Sequence, residues 1–145
     1  MSAEANALQA LAARRAPLPA APSPALAARQ YRAVGLEARV ASASPHELVL
    51  LLYERLALLL GEARAAVGQP ARRLHALERA MAIVDGLDTT LDDARGGEVA
   101  GALHAAYAML KGRLADGGEA ALAEAIRATD ELAEAWRAIG ARRGG

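Results

Sequence analysis

Apolar residues recur at helical spacing through the chain from Ser44 onward. The first long helix is expected to begin at Ser44-Pro45-His46-Glu47, which has the form of a capping box with proline at the first helical position. The expected helices run from Ser44 to about Val67, with Gly68 ending the helix, then Pro70 to about Ala94, Glu98 to Ala115, and Glu119 to Ile139. Short turns force successive helices to run antiparallel. The pattern therefore predicts an all-α fold, an antiparallel up-down four-helix bundle.

The first of these helices departs from the pattern of the other three, which each have a single apolar stripe. Between Leu48 and Leu60 it is apolar on nearly every face. Leu48, Leu52, Leu56 and Leu59 can fill the bundle seam, whereas Val49, Leu51, Leu58 and Leu60 spread beyond it. Contiguous exposed apolar surface normally marks a binding site. Three readings stay open: a permanent internal cover, a partner helix lying in a groove, or self-association such as a weak homodimer.

The chain before Ser44 differs in composition. Four prolines between residues 17 and 24 forbid a continuous helix there, and Leu8 with Leu11 forms only a small apolar face. Residues 1–24 are therefore predicted to be a flexible arm, in which Met1 to Arg15 can form a frayed helix. Residues 25–140 form the predicted domain, and 141–145 a frayed tail. Helix is expected to restart at Ser23-Pro24 and to supply a short N-terminal helical lid segment.

Composition and charge exclude several classes of function. The 145 residues carry 17 basic and 17 acidic side chains, so no net charge attracts nucleic acid or an anionic membrane. The absence of cysteine excludes disulfides and thiolate metal sites, and fits a reducing compartment such as the cytoplasm. The most apolar run, 48–60, is too short for membrane insertion, which takes about 20 apolar residues, and is broken by Glu54 and Arg55. The N-terminal residues lack the pattern of a signal peptide.

The three histidines do not suggest an active site. His46 lies in the first turn of a helix and is expected to face solvent. His75 and Glu78 share a helix face, but in the reverse order of the Glu-x-x-His pairs of di-iron bundles. We therefore expect neither enzyme activity nor a metal or cofactor. A histidine phosphotransfer module with His104 as the acceptor is the alternative from a different class.

Several motifs together resemble the flagellar secretion chaperones of the FliS family. They are Gln30-Tyr31-Arg32 through Val40, the run Ala43 to Val49, Leu52-Tyr53-Glu54, the run Ala80 to Leu87, Leu91-Asp92, Arg95-Gly96-Gly97-Glu98, Tyr107, Leu132 and Ala135-Trp136-Arg137. They cover about residues 29–140 in the family's order.

The resemblance implies a cytoplasmic export chaperone. Family members bind the disordered C-terminal segment of flagellin, prevent its premature polymerisation and help deliver it to the flagellar export gate, a step of type III export. The partner segment folds as it wraps the bundle, and the chaperone's own N-terminal segment moves aside. On this basis the expected flagellin-binding groove is formed by Leu48, Leu51, Leu52, Leu58, Leu87, Leu91, Tyr107 and Leu110, and the expected lid residues are Tyr31, Val34 and Val40. Each could instead be core, because helical periodicity alone does not separate seam from groove.

Overall fold

The computed structural model describes residues 3–13, 40–91 and 93–143, and these stretches contain helices and turns without a strand. The helices are α1 Ala3–Ala13, α2 Pro45–Ala65, α3 Pro70–Thr89, α4 Asp93–Asp116 and α5 Glu119–Arg143. Helices α2 to α5 pack in a closed ring, each against the next and α5 against α2. The predicted four-helix bundle is confirmed.

The start of α2 follows the predicted capping box in part. The Ser44 hydroxyl accepts the backbone N–H of Glu47 at 3.2 Å, which satisfies one of the unpaired donors of the first turn. In a full capping box the Glu47 carboxylate would accept the backbone N–H of Ser44. Here it accepts the Ser44 hydroxyl instead, at 3.2 Å. At the other end of the helix, Gly68 adopts the left-handed conformation, with φ of 81°.

The connection between α3 and α4 lies earlier than predicted. Helix α3 ends at Thr89 rather than near Ala94. The Thr90 hydroxyl donates to the carbonyls of Gly86 at 2.9 Å and Leu87 at 3.1 Å, which satisfies carbonyls that the last helical turn leaves unpaired. Helix α4 then starts at Asp93 and is broken at Gly97, whose φ of 52° and ψ of −124° favour glycine. The pair Gly96-Gly97 thus breaks a helix, as expected, but α3 has already ended before it, at Thr89.

The core lies along the axis of the bundle and contains mainly leucine and alanine. Its largest fully buried side chains are Leu48, Leu52, Tyr53, Leu56, Leu59, Leu60, Ile83, Val84, Tyr107, Leu110, Leu122 and Thr129. The two tyrosines meet inside it, with their hydroxyl oxygens 2.7 Å apart. Each hydroxyl thereby has a partner, which a buried polar group requires.

Both ends of the domain differ from the predicted boundaries. Residues 3–13, assigned to the flexible arm, form helix α1, which packs against α2 and α3. The two leucines are only part of the docked face, because Ala7 is also buried and the Glu4 carboxylate binds two arginines. Residues 14–24 lie outside the described stretches. At the C-terminus, the predicted frayed tail is helical as far as Arg143.

Candidate binding groove

Helix α1 fills a furrow between α2 and α3, which we call the groove. Near its start Glu4 contacts Arg55 of α2 and Arg79 of α3. Further along, Leu11 faces a cavity together with Val49 of α2 and Leu87 of α3. Residue numbers along α1 therefore rise as those of α2 fall and those of α3 rise. Helix α1 runs antiparallel to α2 and parallel to α3.

The cavity beside Leu11 is partly open and measures about 180 Å³. Its lining is drawn from all five helices and the α3–α4 connection: Leu11, Val49, Leu87, Thr90, Leu91, Leu103, Tyr107 and Trp136. Apart from the Thr90 hydroxyl, the tyrosine hydroxyl and the indole N–H, these side chains are apolar. An apolar cavity of about 150 Å³ can hold a molecule the size of benzene. The cavity therefore has room for one further large apolar side chain.

A glycine creates the closest approach between α1 and the bundle. Gly86 lies within α3, and the three atoms nearest to a Cβ placed there all belong to the Leu8 side chain, which it would overlap. Glycine in a helix interior costs about 0.5–1 kcal/mol relative to alanine. Here it provides the space into which Leu8 packs.

Electrostatics fix the first turn of α1. The Glu4 side chain is only 4% exposed, and its Oε1 atom accepts hydrogen bonds from Arg55 and from Arg79. Burial alone would raise the pKa of this carboxyl. The hydrogen bond from Arg55 and the positive charges of both arginines outweigh that effect, and the pKa lies below the ordinary value of 4.5. Glu4 is therefore ionised at neutral pH.

The predicted groove residues fall into three groups. Leu48, Leu51, Leu52 and Leu110 are buried in the core cluster, which also contains Ala7 and Leu11 of α1. Leu87, Leu91 and Tyr107 line the cavity. Leu58 is 58% exposed on α2 and does not line the cavity. The structure thus brings three of the predicted residues together around Leu11.

Of the predicted lid residues, Val40 is buried and belongs to the core cluster, which also includes Ala43. Tyr31 and Val34 lie outside the described residues. Among the described residues the element over the groove is α1, whereas the lid predicted from the sequence is the segment from Tyr31 to Val40. The signal for it was present in the spacing of Glu4, Ala7, Leu8 and Leu11, which places all four on one side of a helix.

Trp136 and His46 join the end of α5 to the start of α2. Their rings stack with centroids 4.8 Å apart, and the indole N–H donates to the His46 carbonyl at 2.9 Å. A Cβ at Gly140 would overlap the His46 ring. His46 therefore faces solvent only in part, because the indole of Trp136 provides an apolar surface that the sequence does not place beside it.

The remaining histidines lie at the surface of α3 and α4, His75 exposed and His104 partly exposed. His75 and Glu78 are both exposed on α3. His104 contacts the Asp88 carboxylate through Nδ1, and Lys111 bonds the same carboxylate at 3.1 Å. Burial would raise the pKa of Asp88, but these hydrogen bonds outweigh it and hold the pKa below its ordinary value. His104 is thus a member of a partly exposed polar cluster with Asp88 and Lys111, and its role as a phosphoacceptor stays a prediction.

Two classes of site are not found where the structure describes the chain. Within residues 3–13, 40–91 and 93–143, His, Asp and Glu side chains do not form a group of three that could hold a metal ion. None of the helices described is both long enough and apolar enough to cross a membrane.

Fold and groove together define a class of protein: a helical bundle with an apolar furrow that accepts an amphipathic helix. Comparison with known proteins identifies the family. The model of the family described as flagellar protein FliS matches residues 27–143, and the chain belongs to this family. FliS proteins are chaperones and not enzymes.

Two relatives extend the comparison. The flagellar secretion chaperone FliSB of Pseudomonas aeruginosa is 37% identical over 93 residues, which cover 62% of this chain and 73% of that protein. The flagellar secretion chaperone FliS of Salmonella typhimurium is 35% identical over 118 residues, which cover 77% of this chain and 87% of that protein. These relatives support a chaperone role in flagellar export.

Proposed function

We propose that this chain is a cytoplasmic chaperone that binds the disordered C-terminal segment of flagellin in the groove. The bound segment is kept from premature polymerisation and is carried to the flagellar type III export apparatus, where the complex meets an export gate component. The observation that carries the proposal is the seating of α1, an amphipathic helix that is buried through Ala7 and Leu11 along α2 and α3.

In the proposed mechanism, α1 and the flagellin segment occupy the groove in turn. Ordering a disordered partner costs about 2–5 kcal/mol or more, so the partner needs a long apolar surface to offset that cost. The groove provides such a surface between α2 and α3, and the cavity beside Leu11 extends it toward α4 and α5. In the free chaperone α1 keeps this surface out of water. Flagellin binds only when α1 has left.

An internal cover lowers the apparent affinity for the partner in proportion to the fraction of open molecules. Weakening α1 should therefore strengthen client binding. Leu11→Ala is the suitable change, because Leu11 belongs to α1 and not to the groove itself. Removing a buried leucine side chain costs about 2–5 kcal/mol in well-packed sites, and Leu11 lies beside a cavity, so the lower end of this range applies. We expect the apparent affinity for a flagellin C-terminal peptide to rise about tenfold or more if α1 is mostly closed in the unmodified protein.

Isothermal titration calorimetry of the full chain with this peptide tests the proposal. Gln9→Ala, at an exposed position of α1, is the matched control and should leave the affinity unchanged. Absence of binding at micromolar concentrations by both the unmodified chain and Leu11→Ala would overturn the proposal. Weaker binding by Leu11→Ala would show that α1 supports the partner instead of competing with it.

A further inference from the structure

The contact between Glu4 and its two arginines is the most strongly polar feature of the groove. Arg55 and Arg79 come from different helices, α2 and α3, and both donate to the same carboxylate oxygen. Their side chains are 30% and 28% exposed, whereas Glu4 is 4% exposed. The second carboxylate oxygen, Oε2, is buried without a hydrogen-bond partner. The pair of arginines thus contacts a carboxylate that is almost entirely shielded from water.

The apolar contacts of α1 stand at fixed distances from this carboxylate. Ala7 and Leu11 follow Glu4 by three and seven residues and are buried. Leu8 follows it by four residues and packs against Gly86. On an α-helix these positions lie on the same side as the acid. The groove therefore accepts an acidic residue in one turn and apolar residues in the next two.

Departure of α1 changes the energy of the two arginines. Without Glu4, two positive charges on neighbouring helices lose the anion that they share, and only water then compensates them. A partner that places a carboxylate at the same point restores the hydrogen bonds, which are stronger when one member is charged and strongest when both are. A partner with a neutral residue there leaves both arginines without that compensation.

We infer that Arg55 and Arg79 bind a carboxylate of the client and so select which segment enters the groove. The bound segment is a helix in which Asp or Glu is followed by small or apolar residues three, four and seven positions later. This inference rests on the proposed function and adds a sequence requirement for the client. Helix α1 is the internal copy of that pattern, and the bound client helix runs antiparallel to α2, as α1 does.

The test separates the two roles of the arginines, which hold α1 closed and contact the client. Glu4→Gln removes the internal carboxylate, so this background is used throughout. The probe is the flagellin C-terminal segment and a set of versions in which each Asp or Glu is replaced singly by Asn or Gln. Titration calorimetry measures every version against full-length Glu4→Gln and against the triple variant Glu4→Gln/Arg55→Gln/Arg79→Gln.

We expect one acidic position of the probe at which the amide lowers the affinity for Glu4→Gln by about tenfold. The same replacement should change the affinity for the triple variant by less than about twofold. Glu4→Gln/Arg72→Gln is the matched control, since it removes an exposed arginine of α3, and it should keep the tenfold preference. If circular dichroism shows that the triple variant is unfolded, the single changes Arg55→Gln and Arg79→Gln in the Glu4→Gln background replace it.

The outcomes distinguish this inference from the function on which it rests. Equal binding of the acidic and amide probes to Glu4→Gln overturns the inference and leaves the proposed function standing. A preference for the acidic probe that persists without Arg55 and Arg79 also overturns it. If none of the probes binds any variant, the proposed function fails and the inference fails with it.

Discussion

The buried pair of tyrosine hydroxyls allows a quantitative test of the core. The hydroxyl oxygens of Tyr53 and Tyr107 are 2.7 Å apart, and both side chains are almost completely shielded from water. Replacing either tyrosine by phenylalanine keeps the ring but leaves the other hydroxyl buried without this partner. Such a loss costs about 1–3 kcal/mol, because the desolvated hydroxyl is no longer compensated. For a chain of this size, each kcal/mol lowers Tm by about 3 °C.

The double variant is the decisive measurement. Tyr53→Phe/Tyr107→Phe removes both hydroxyls together and leaves neither unpaired, so it should be less destabilising than the sum of the two single variants. We expect a coupling energy of about 1–2 kcal/mol from urea unfolding of all four proteins. An unchanged m-value checks that the unfolded state is the same in each. Additive effects, within about 0.5 kcal/mol, would refute the claim that the hydroxyls stabilise each other.

Three further predictions concern pH and helix capping. The pKa of Glu4 is lower when α1 is docked than the ordinary value of 4.5. The contribution of the Glu4 carboxylate to docking is therefore complete above pH 4.5, and it is lost as the pH falls through the lowered pKa of the docked state. NMR signals of residues 3–13 should therefore report undocking in acid. Burial raises the pKa of Tyr53 and Tyr107, so the stability that they contribute is present below pH of about 10 and falls as the pH rises further. The absorbance of tyrosinate should accordingly show these two side chains ionising only as the protein unfolds. Ser44→Ala should destabilise the protein by about 1 kcal/mol in urea unfolding, since it removes the cap of α2.

Each of these predictions has its own contrary result. An acid transition of the same size in Glu4→Gln would show that another group releases α1. Ionisation of all three tyrosines near pH 10 in folded protein would contradict the burial of the pair. Ser44→Asp is the control for the cap and should retain most of the stability, because aspartate also accepts the Glu47 N–H. Equal losses for Ser44→Ala and Ser44→Asp would exclude capping as the cause.

The bundle could be predicted because its helices carry local signals of start, stop and apolar period. Pro45 and Pro70 mark helix starts, and Gly68 marks an end, so short-range chemistry alone sets most boundaries. The end of α3 was misplaced because Thr90 bonds the carbonyls of the helix with its own hydroxyl. Residues that compete with the backbone in this way do not disturb the apolar pattern.

The groove was harder to predict from the sequence than the bundle, because its contacts join residues that are far apart in the chain. Glu4 and Arg79 are 75 positions apart, and only the fold brings them together. An eleven-residue helix with two leucines is marginal in isolation. Its docking depends on Gly86 and on two arginines that look like ordinary surface residues in the sequence. Leu58 is largely exposed on α2, and its contact with a partner stays a prediction.

The seating of α1 also bears on how the protein behaves at high concentration. With 17 acidic and 17 basic residues, the chain has a pI of about 6.8 and little net charge near neutral pH. Proteins without net charge lack the mutual repulsion that keeps copies apart in solution. An open apolar furrow on such a protein invites association between copies. Helix α1 therefore supplies colloidal stability that the charge balance of the chain does not.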